Sequence, residues 1–538
     1  MIQKRNTLFL FFVCLTLFRV SAQQASLLLD IKPGSGDGVE AEYSAVIGGK
    51  YFFYGRTDAE GSELWATDGT TAGTKMVKDI NPGDLSACDD YPLVVFKGKV
   101  WFGATTDGFQ YYLWSSDGTA AGTVQLLTDG RLYLPRLIAA GNNYLYFVTT
   151  TSTNNVTLWQ TDGTEAGTKK VTEALGSTSL QVLDQIVALG DECYLSLRAQ
   201  IWKTDGTQAG TVMVKDISTG GNNFGDIAEL NVAGNKVFFA GDKNFSSWYT
   251  PWVSDGTPAG TFELAQPDPT GSSSPRWFFP FKNKVYFSAY DGSKQALWST
   301  DGTKAGTALF KDVVVAEFGN LPVDMAADAN YLYFAGKTST NGKELWRTDG
   351  TAANTQMVKD LDPGSFSSSP SEVAFGNGKL YFQANVGGNG AELCVSDGTN
   401  AGTKQITDFY PNSSTSSFPH DIRQVGNNLV FMASHPIHGK ELFVLDITSG
   451  LRVPEAVLDI ALSPNPVSGP LRVTLPPSAD WPQGRFRLLD AGGAVVWEGR
   501  PAGAVTELHL PVLPAGIYWM EYADAAAHFG RTAVTLLR

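Results

Sequence analysis

Histidine is missing from the first 419 residues of this chain: all five, His420, His435, His438, His509 and His528, fall late. Over most of the sequence there is therefore no imidazole for a Ser-His-Asp or Cys-His arrangement, or for a histidine-rich zinc site. Cysteine is as scarce, with four residues and no C-x-x-C pair, which excludes a full disulfide framework and a thiolate zinc site. Positive charge is short as well. Against 54 Asp and Glu there are 40 Lys and Arg, a net charge of −14, and a nucleic-acid backbone or an anionic membrane needs the opposite balance. Beyond the N-terminus no apolar run is long enough for a transmembrane helix.

The N-terminus has the form of an export signal. Lys4 and Arg5 precede the apolar stretch Thr7–Phe18, and Val20-Ser21-Ala22 offers a small-residue cleavage site before Gln23. Loss of residues 1–22, which carry Lys4, Arg5 and Arg19 and no acid, takes the net charge to −17. Cys88, Cys193 and Cys394 then remain, an odd number that allows at most one disulfide.

One string dominates the rest: Glu63-Leu-Trp-Ala-Thr-Asp-Gly-Thr70, then Gly73-Thr74, then Val77-Lys-Asp-Ile80. Its tryptophan returns as Trp114, Trp159, Trp202, Trp252, Trp298 and Trp346, with Cys394 and Phe443 in the same place in two further copies. Successive anchors lie 43 to 50 residues apart, the size of a four-stranded propeller blade. In the sixth copy the expected strands are Arg276–Phe281, Val285–Tyr290, Ala296–Thr300 and Thr307–Asp312, rich in β-branched and aromatic residues. Clusters such as Gly234-Asn235-Lys236 and Gly426-Asn427-Asn428 read as hairpin turns between the first two strands. In the Asp-Gly-Thr string, Asp accepts backbone N–H groups across a turn and Gly takes a left-handed conformation. The second glycine (Gly73, Gly122, Gly167, Gly210, Gly260, Gly306, Gly402, replaced by Asn354 in the seventh copy) reads as another left-handed position.

The ends of the repeat region complement each other. The last copy stops at Asp446 without its fourth strand, and Leu28-Leu-Asp-Ile-Lys-Pro-Gly34 matches the fourth-strand string Val77-Lys-Asp-Ile-Asn-Pro-Gly83. Leu27–Ile31 is therefore expected to pair with the last blade and close the ring, abolishing its open edges. The count is nine repeat units, read as eight or nine blades. The fold class is all-β: a multi-bladed β-propeller over residues 23–446, followed by a linker at 447–457 and a separate small domain at 458–538.

The Glu-Leu-Trp-x-[Ser/Thr]-Asp-Gly-Thr-x-x-Gly-Thr pattern resembles a repeat of secreted bacterial proteins described as hyalin-like or propeller-like. After residue 453 the repeat is lost. Leu462-Ser-Pro-Asn-Pro466, Arg487-Leu-Leu-Asp-Ala-Gly-Gly493, Leu513-Pro-Ala-Gly-Ile-Tyr518 and Val534-Thr-Leu-Leu-Arg538 together resemble a type A C-terminal sorting domain of the type IX secretion system. That resemblance implies a small β-sandwich at 458–538, with which the short alternating stretches Gly484–Leu489 and Ala494–Glu498 agree. It also implies the type IX machinery as a partner, passage across an outer membrane, removal of the domain, and release or surface attachment.

Candidate sites were weighed against structural roles. Asp68, Asp117, Asp162, Asp205, Asp255, Asp301, Asp349 and Asp397 are assigned to turns. Calcium, which needs about six to eight converging oxygens, is not expected from one Asp per turn. The recurring tryptophans fit blade packing better than carbohydrate stacking, and His435 and His438, lacking a third ligand, read as structural. Ligand contacts are sought in the loops between second and third strands, which vary most: Thr106–Tyr112, Thr149–Thr157, Asp242–Pro251 and Ser434–Lys440. They offer Phe109, Tyr111, Phe245, Trp248 and Tyr249. The expected function is an exported or surface-attached recognition or scaffold module for a glycan or protein, without catalysis of its own and without a cofactor. The alternatives are a polysaccharide-acting enzyme using acids on the same loops, and a structural adhesin component.

Overall fold

The computed structural model describes residues 25–536 apart from 40–42, 89–90, 128–135, 151–155, 176–177, 180–182, 220–224, 245, 317–324, 412, 448–455, 458–460, 464–469, 476–484, 490–494, 511–512, 514–515 and 524–527. The export signal, most of the linker, Phe245 and parts of the C-terminal landmarks lie outside the described residues. Those described form strands and turns with no helix, in two compact units, Met1–Thr448 and Ser449–Arg538.

The first unit is a nine-bladed β-propeller. Each blade is a four-stranded antiparallel meander, here lettered A to D. Blade 1 comprises Ala45–Ile47, Lys50–Thr57, Gly61–Thr67 and Lys75–Lys78. Blade 6 comprises Arg276–Phe281, Lys284–Tyr290, Gln295–Thr300 and Ala308–Ala316, and a single bridge, Val314↔Lys337, joins it to blade 7. Blade 9 takes strands A to C from His420–Val425, Asn428–His435 and Gly439–Asp446, and its strand D from Ser26–Leu29, with Leu27 opposite Phe443.

A blade is apolar on both faces because it packs between two others. Strand B of blade 2, Lys99–Thr105, is buried at every position after the first. Nine hydrophobic cores result, each drawn from two neighbouring blades. The core across the closing seam joins Tyr51, Phe53 and Trp65 of blade 1 to Val430, Met432 and Leu442 of blade 9, with Leu28 from the closing strand. The recurring tryptophans belong to these cores: Trp159 stacks on Phe147 at 6.5 Å and Trp252 on Phe239 at 6.0 Å.

The Asp-Gly-Thr turn is built identically in eight blades. Asp Oδ1 accepts the backbone N–H of the Thr two residues on at 2.8–2.9 Å and its hydroxyl at 2.6–2.7 Å. The Gly of the string is left-handed, as at Gly69 (φ 86°) and Gly118 (φ 85°). The second glycine is not. Gly73, Gly122, Gly167, Gly210, Gly260, Gly306 and Gly402 have no left-handed φ; a Cβ on any of them would lie 2.0–2.1 Å from the turn Asp Oδ1. That corrects the conformational reading: the glycine is required because the aspartate occupies the space. In blade 7, Asn354 instead donates its side-chain amide to Asp349 Oδ2 at 2.7 Å, and with Thr351 it draws the Asp349 carboxyl down to about 2.

Lysines staple neighbouring blades on this turn-bearing face. Lys97 and Lys282, in A–B turns, donate to the Asp162 and Asp349 carbonyls of the next blade at 2.9 and 2.6 Å. Lys78, Lys215 and Lys359 of strand D reach the carbonyls of Thr123, Thr261 and Thr403.

The C-terminal unit has a five-stranded sheet of Ala456–Val457, His528–Leu536, Gly516–Ala523, Arg485–Leu489 and Val495–Gly499, and a three-stranded sheet of Ala461–Ser463, Leu471–Thr474 and Val505–Leu508. Both contribute to one core of Leu471, Val473, Leu508, Phe486, Leu488, Tyr518, Met520, Tyr522 and Val534.

Leu28 is buried in the closing core. Leu28→Ala is expected to lower the stability of the propeller by about 2–5 kcal/mol, read as a shift of the denaturant midpoint. An unchanged midpoint would mean that the N-terminal strand does not close the ring.

Candidate functional site

The face opposite the lysine staples is formed by D–A connections between blades and by B–C loops within them. Their backbones meet in a device that recurs in blades 7, 8, 9 and 1, consecutive around the closed ring. In those blades alone, strand C opens with Gly-x-Glu-Leu: Gly342-Lys-Glu344, Gly390-Ala-Glu392, Gly439-Lys-Glu441 and Gly61-Ser-Glu63. The other five have Tyr112, Thr157, Gln200, Thr250 and Ala296 in place of the glutamate.

Each residue of the motif has a physical task. The glycine lets the D–A backbone approach: a Cβ on Gly61, Gly342, Gly390 or Gly439 would fall 2.7, 1.5, 2.3 or 2.6 Å from the main chain of that connection. The middle residue clips it. Ser62 O accepts Ala87 N and Cys88 N, Ala391 O accepts Ser417 N and Phe418 N, Lys440 O accepts Gly38 N and Val39 N, and Lys343 O accepts Ser369 N. In return its own N–H donates to Ser86 Oγ, Ser416 Oγ, Asp37 Oδ1 or Ser367 Oγ at 2.8–3.1 Å.

The glutamate is fully buried in all four blades and satisfies donors of the same connection. Glu63 accepts Ile80 N and Asn81 N at 3.1 and 3.2 Å, and Glu441 accepts Ile31 N and Lys32 N at 3.2 and 3.1 Å. Glu344 accepts Leu361 N and Ser368 N, both at 2.9 Å; Glu392 accepts Thr407 Oγ1 and Ser417 N. Burial pushes the Glu63 and Glu441 carboxyls up to about 7 against the pull of these bonds, and raises Glu344 and Glu392 for the same reason.

The clipped connections hold large apolar side chains in solvent. Leu85 is 57% exposed, Phe366 69% and Phe418 57%, and the B–C loops of blades 2 and 9 add Phe109 at 80% and Ile437 at 66%. The Phe109 loop stands beside Leu85, since a Cβ on Gly108 would lie 3.8 Å from Leu85 Cδ1.

The residues singled out from sequence do not form one site. Phe109 is free in solvent, whereas Tyr111 packs on Tyr91 at 5.2 Å. Trp248 and Tyr249 are on blade 5, away from Phe109; Trp248 is 55% exposed, and Tyr249 donates to Asp226 Oδ2 at 2.6 Å. The turn aspartates lie on the other face. His435 and His438 stack at 4.9 Å, and His438 Nδ1 pairs with Asp30 Oδ2 at 2.8 Å across the seam. No group of three or more His, Cys, Asp or Glu among the described residues could hold a metal ion. Cys88, Cys193 and Cys394 are buried. Around the axis, Leu137, Glu229, Trp277, Glu372 and Asp421 sit at bulges of strand A with φ of 50–57°. There Glu372 Oε2 accepts Asp421 N at 3.1 Å and Glu229 Oε2 accepts Trp277 N at 3.5 Å, so these acids bind blade to blade.

No family model matches the chain, and no curated protein does. Solved structures of similar fold include puromycin hydrolase (13% identity, 74% of this chain and 60% of that one, TM-score 0.33). A prolyl endopeptidase (11%, 67% and 54%, 0.36) and oligopeptidase B from Leishmania major (11%, 67% and 53%, 0.38) are others. The chain thus spans a little over half the length of these proteins. These neighbours are named as hydrolases, contrary to the expectation of a recognition or scaffold module without catalysis and to its alternatives of a polysaccharide-acting enzyme and an adhesin component. At these scores the likeness transfers no activity, and the described residues contain no helix from which a helical catalytic domain could be built.

The glutamate clamp gives a pH signature. A carboxyl raised in the fold from 4.5 to about 7 adds stability that is complete below 4.5 and lost as pH rises through 7. Melting temperature should fall between pH 5 and 8, and the fall should be shallower in Glu441→Gln, measured by calorimetry. Equal slopes in the two proteins would show that Glu441 does not titrate there.

Proposed function

We propose that the propeller holds polypeptide against the clipped loops of blades 7, 8, 9 and 1 and the adjoining B–C loop of blade 2. One observation carries this reading: Phe366, Phe418, Leu85 and Ile437, on backbone fixed by glutamate and clip hydrogen bonds, and Phe109, on a loop whose Asp107 accepts the Phe109 and Gln110 amides, are all more than half exposed. Apolar side chains kept in water on rigid backbone lose little entropy on meeting a partner, which is what preorganised contact residues require. The set is Leu, Ile and Phe, suited to apolar peptide side chains; the arc lacks the indole platforms on which sugars stack.

The substitution of all five by serine tests the reading. Each site is exposed, so the thermal midpoint should move little, since surface changes cost within about 0.5 kcal/mol. Retention on a random-sequence peptide array should fall at least about tenfold, the equivalent of about 1.4 kcal/mol. Undiminished retention, or binding of polysaccharides in place of peptides by the parent, would overturn it.

For the ends of the chain, we infer export through the N-terminal signal and delivery by type IX machinery acting on the C-terminal unit. What supports this is the order of the four sequence landmarks and the small two-sheet unit that carries them. In a host with that machinery the full chain should reach the outer surface or the medium, and a chain ending at residue 448 should stay in the periplasm; equal export of both would overturn the assignment.

A further inference from the structure

The charges on the clipped loops specify the polypeptide further, on the premise that this face holds one. The D–A connections 79–93, 360–370 and 406–419 contain seven Asp and no Lys or Arg, and the B–C loop 106–110 has Asp107 and no base. In the fourth connection, residues 30–44, the single base is Lys32, and its ammonium is already paired with Asp58 at 3.0 Å. Asp84 is exposed next to exposed Leu85, and Asp107 lies two residues before exposed Phe109. Asp408 is exposed on the connection that carries Phe418.

Lys343 and Lys440, half-buried, stand in the clip motif itself, and the other lysines lie mostly elsewhere. Those of the A–B turns, such as Lys97 and Lys282, and those of strand D, such as Lys78 and Lys359, spend their ammonium groups on carbonyls of the neighbouring blade. The ring therefore presents an arc in which exposed apolar side chains stand among exposed carboxylates that outnumber the bases. We propose that the segment held there is cationic and amphipathic, with Lys or Arg interleaved among apolar residues. Its apolar side chains meet Leu85, Phe109, Phe366, Phe418 and Ile437, and its cations meet Asp84, Asp107 and Asp408. Charge complementarity of this kind adds chiefly to encounter rate and to selectivity among partners. An acidic segment of equal apolar content is rejected by like charge.

The test uses the full chain and two synthetic peptides of equal length and apolar content, one with lysine and arginine at its polar positions and one with glutamate. The cationic peptide should bind at least about tenfold more tightly at low salt, with the advantage shrinking as salt screens exposed charges. Asp84 and Asp408 make no hydrogen bond in the fold, so Asp84→Asn with Asp408→Asn should narrow the difference without moving the melting temperature. Equal binding of the two peptides, or an unchanged preference in the double variant, would overturn the cationic assignment and leave polypeptide holding intact. Failure of both peptides to bind would remove both.

Discussion

A propeller blade cannot bury itself. With both faces of strands B and C apolar, each sheet is stable only between two others, and a row of such sheets has two raw ends until it closes. Everything else depends on that closure. Here it is made by Ser26–Leu29 lying against Gly439–Asp446, with Leu28 entering the core shared by blades 9 and 1. The same seam is held by Glu441 on the amides of Ile31 and Lys32 and by His438 on Asp30. The position that completes the ring is thus also one of the four glutamate clamps.

The two faces divide the work. One carries the Asp-Gly-Thr turns and the lysines that join each blade to the next, chemistry repeated with little change. On the other, only four blades carry Gly-x-Glu-Leu, and they are consecutive. That grouping sets one side of the ring apart by its buried glutamates and by the exposed phenylalanine, leucine and isoleucine on its loops; the backbone clip itself also occurs in blade 5, where Tyr249 O accepts Ser273 N and Ser274 N.

Much of the architecture was legible because the repeat is punctuated by residues with few substitutes. A tryptophan, replaced by Cys394 and Phe443 in the last two copies, recurs every 43 to 50 residues in the third strand of the blades, and the orphan fourth strand at Leu28 announces the closure. The second glycine was misread because sequence shows that a side chain is missing without showing why; the reason is an aspartate carboxylate where the Cβ would be. The site was less legible. Glu63 was seen only as part of the repeat, although its restriction to four copies, each with a glycine two residues earlier, was visible in the letters. What could not be read there is that the glutamate faces inward, onto the amides of a connection 17 to 25 residues downstream in blades 1, 7 and 8. Phe109 stood out by its loop, but Leu85, Phe366 and Phe418 did not, because exposure of a lone apolar residue in a serine-rich connection is a tertiary fact.

The seam also sets an order of events in time. Leu27 meets Phe443, a contact spanning nearly the whole ring, and such closures come late because the chain entropy they cost is recovered only when the intervening structure exists. During synthesis or transport from the N-terminus, blades 1 to 8 can stack as an open arc. Throughout that time Tyr51, Phe53 and Trp65 of blade 1 lack the partner that will cover them. The ring is therefore most prone to joining the wrong neighbour, or a second copy of itself, just before it is finished.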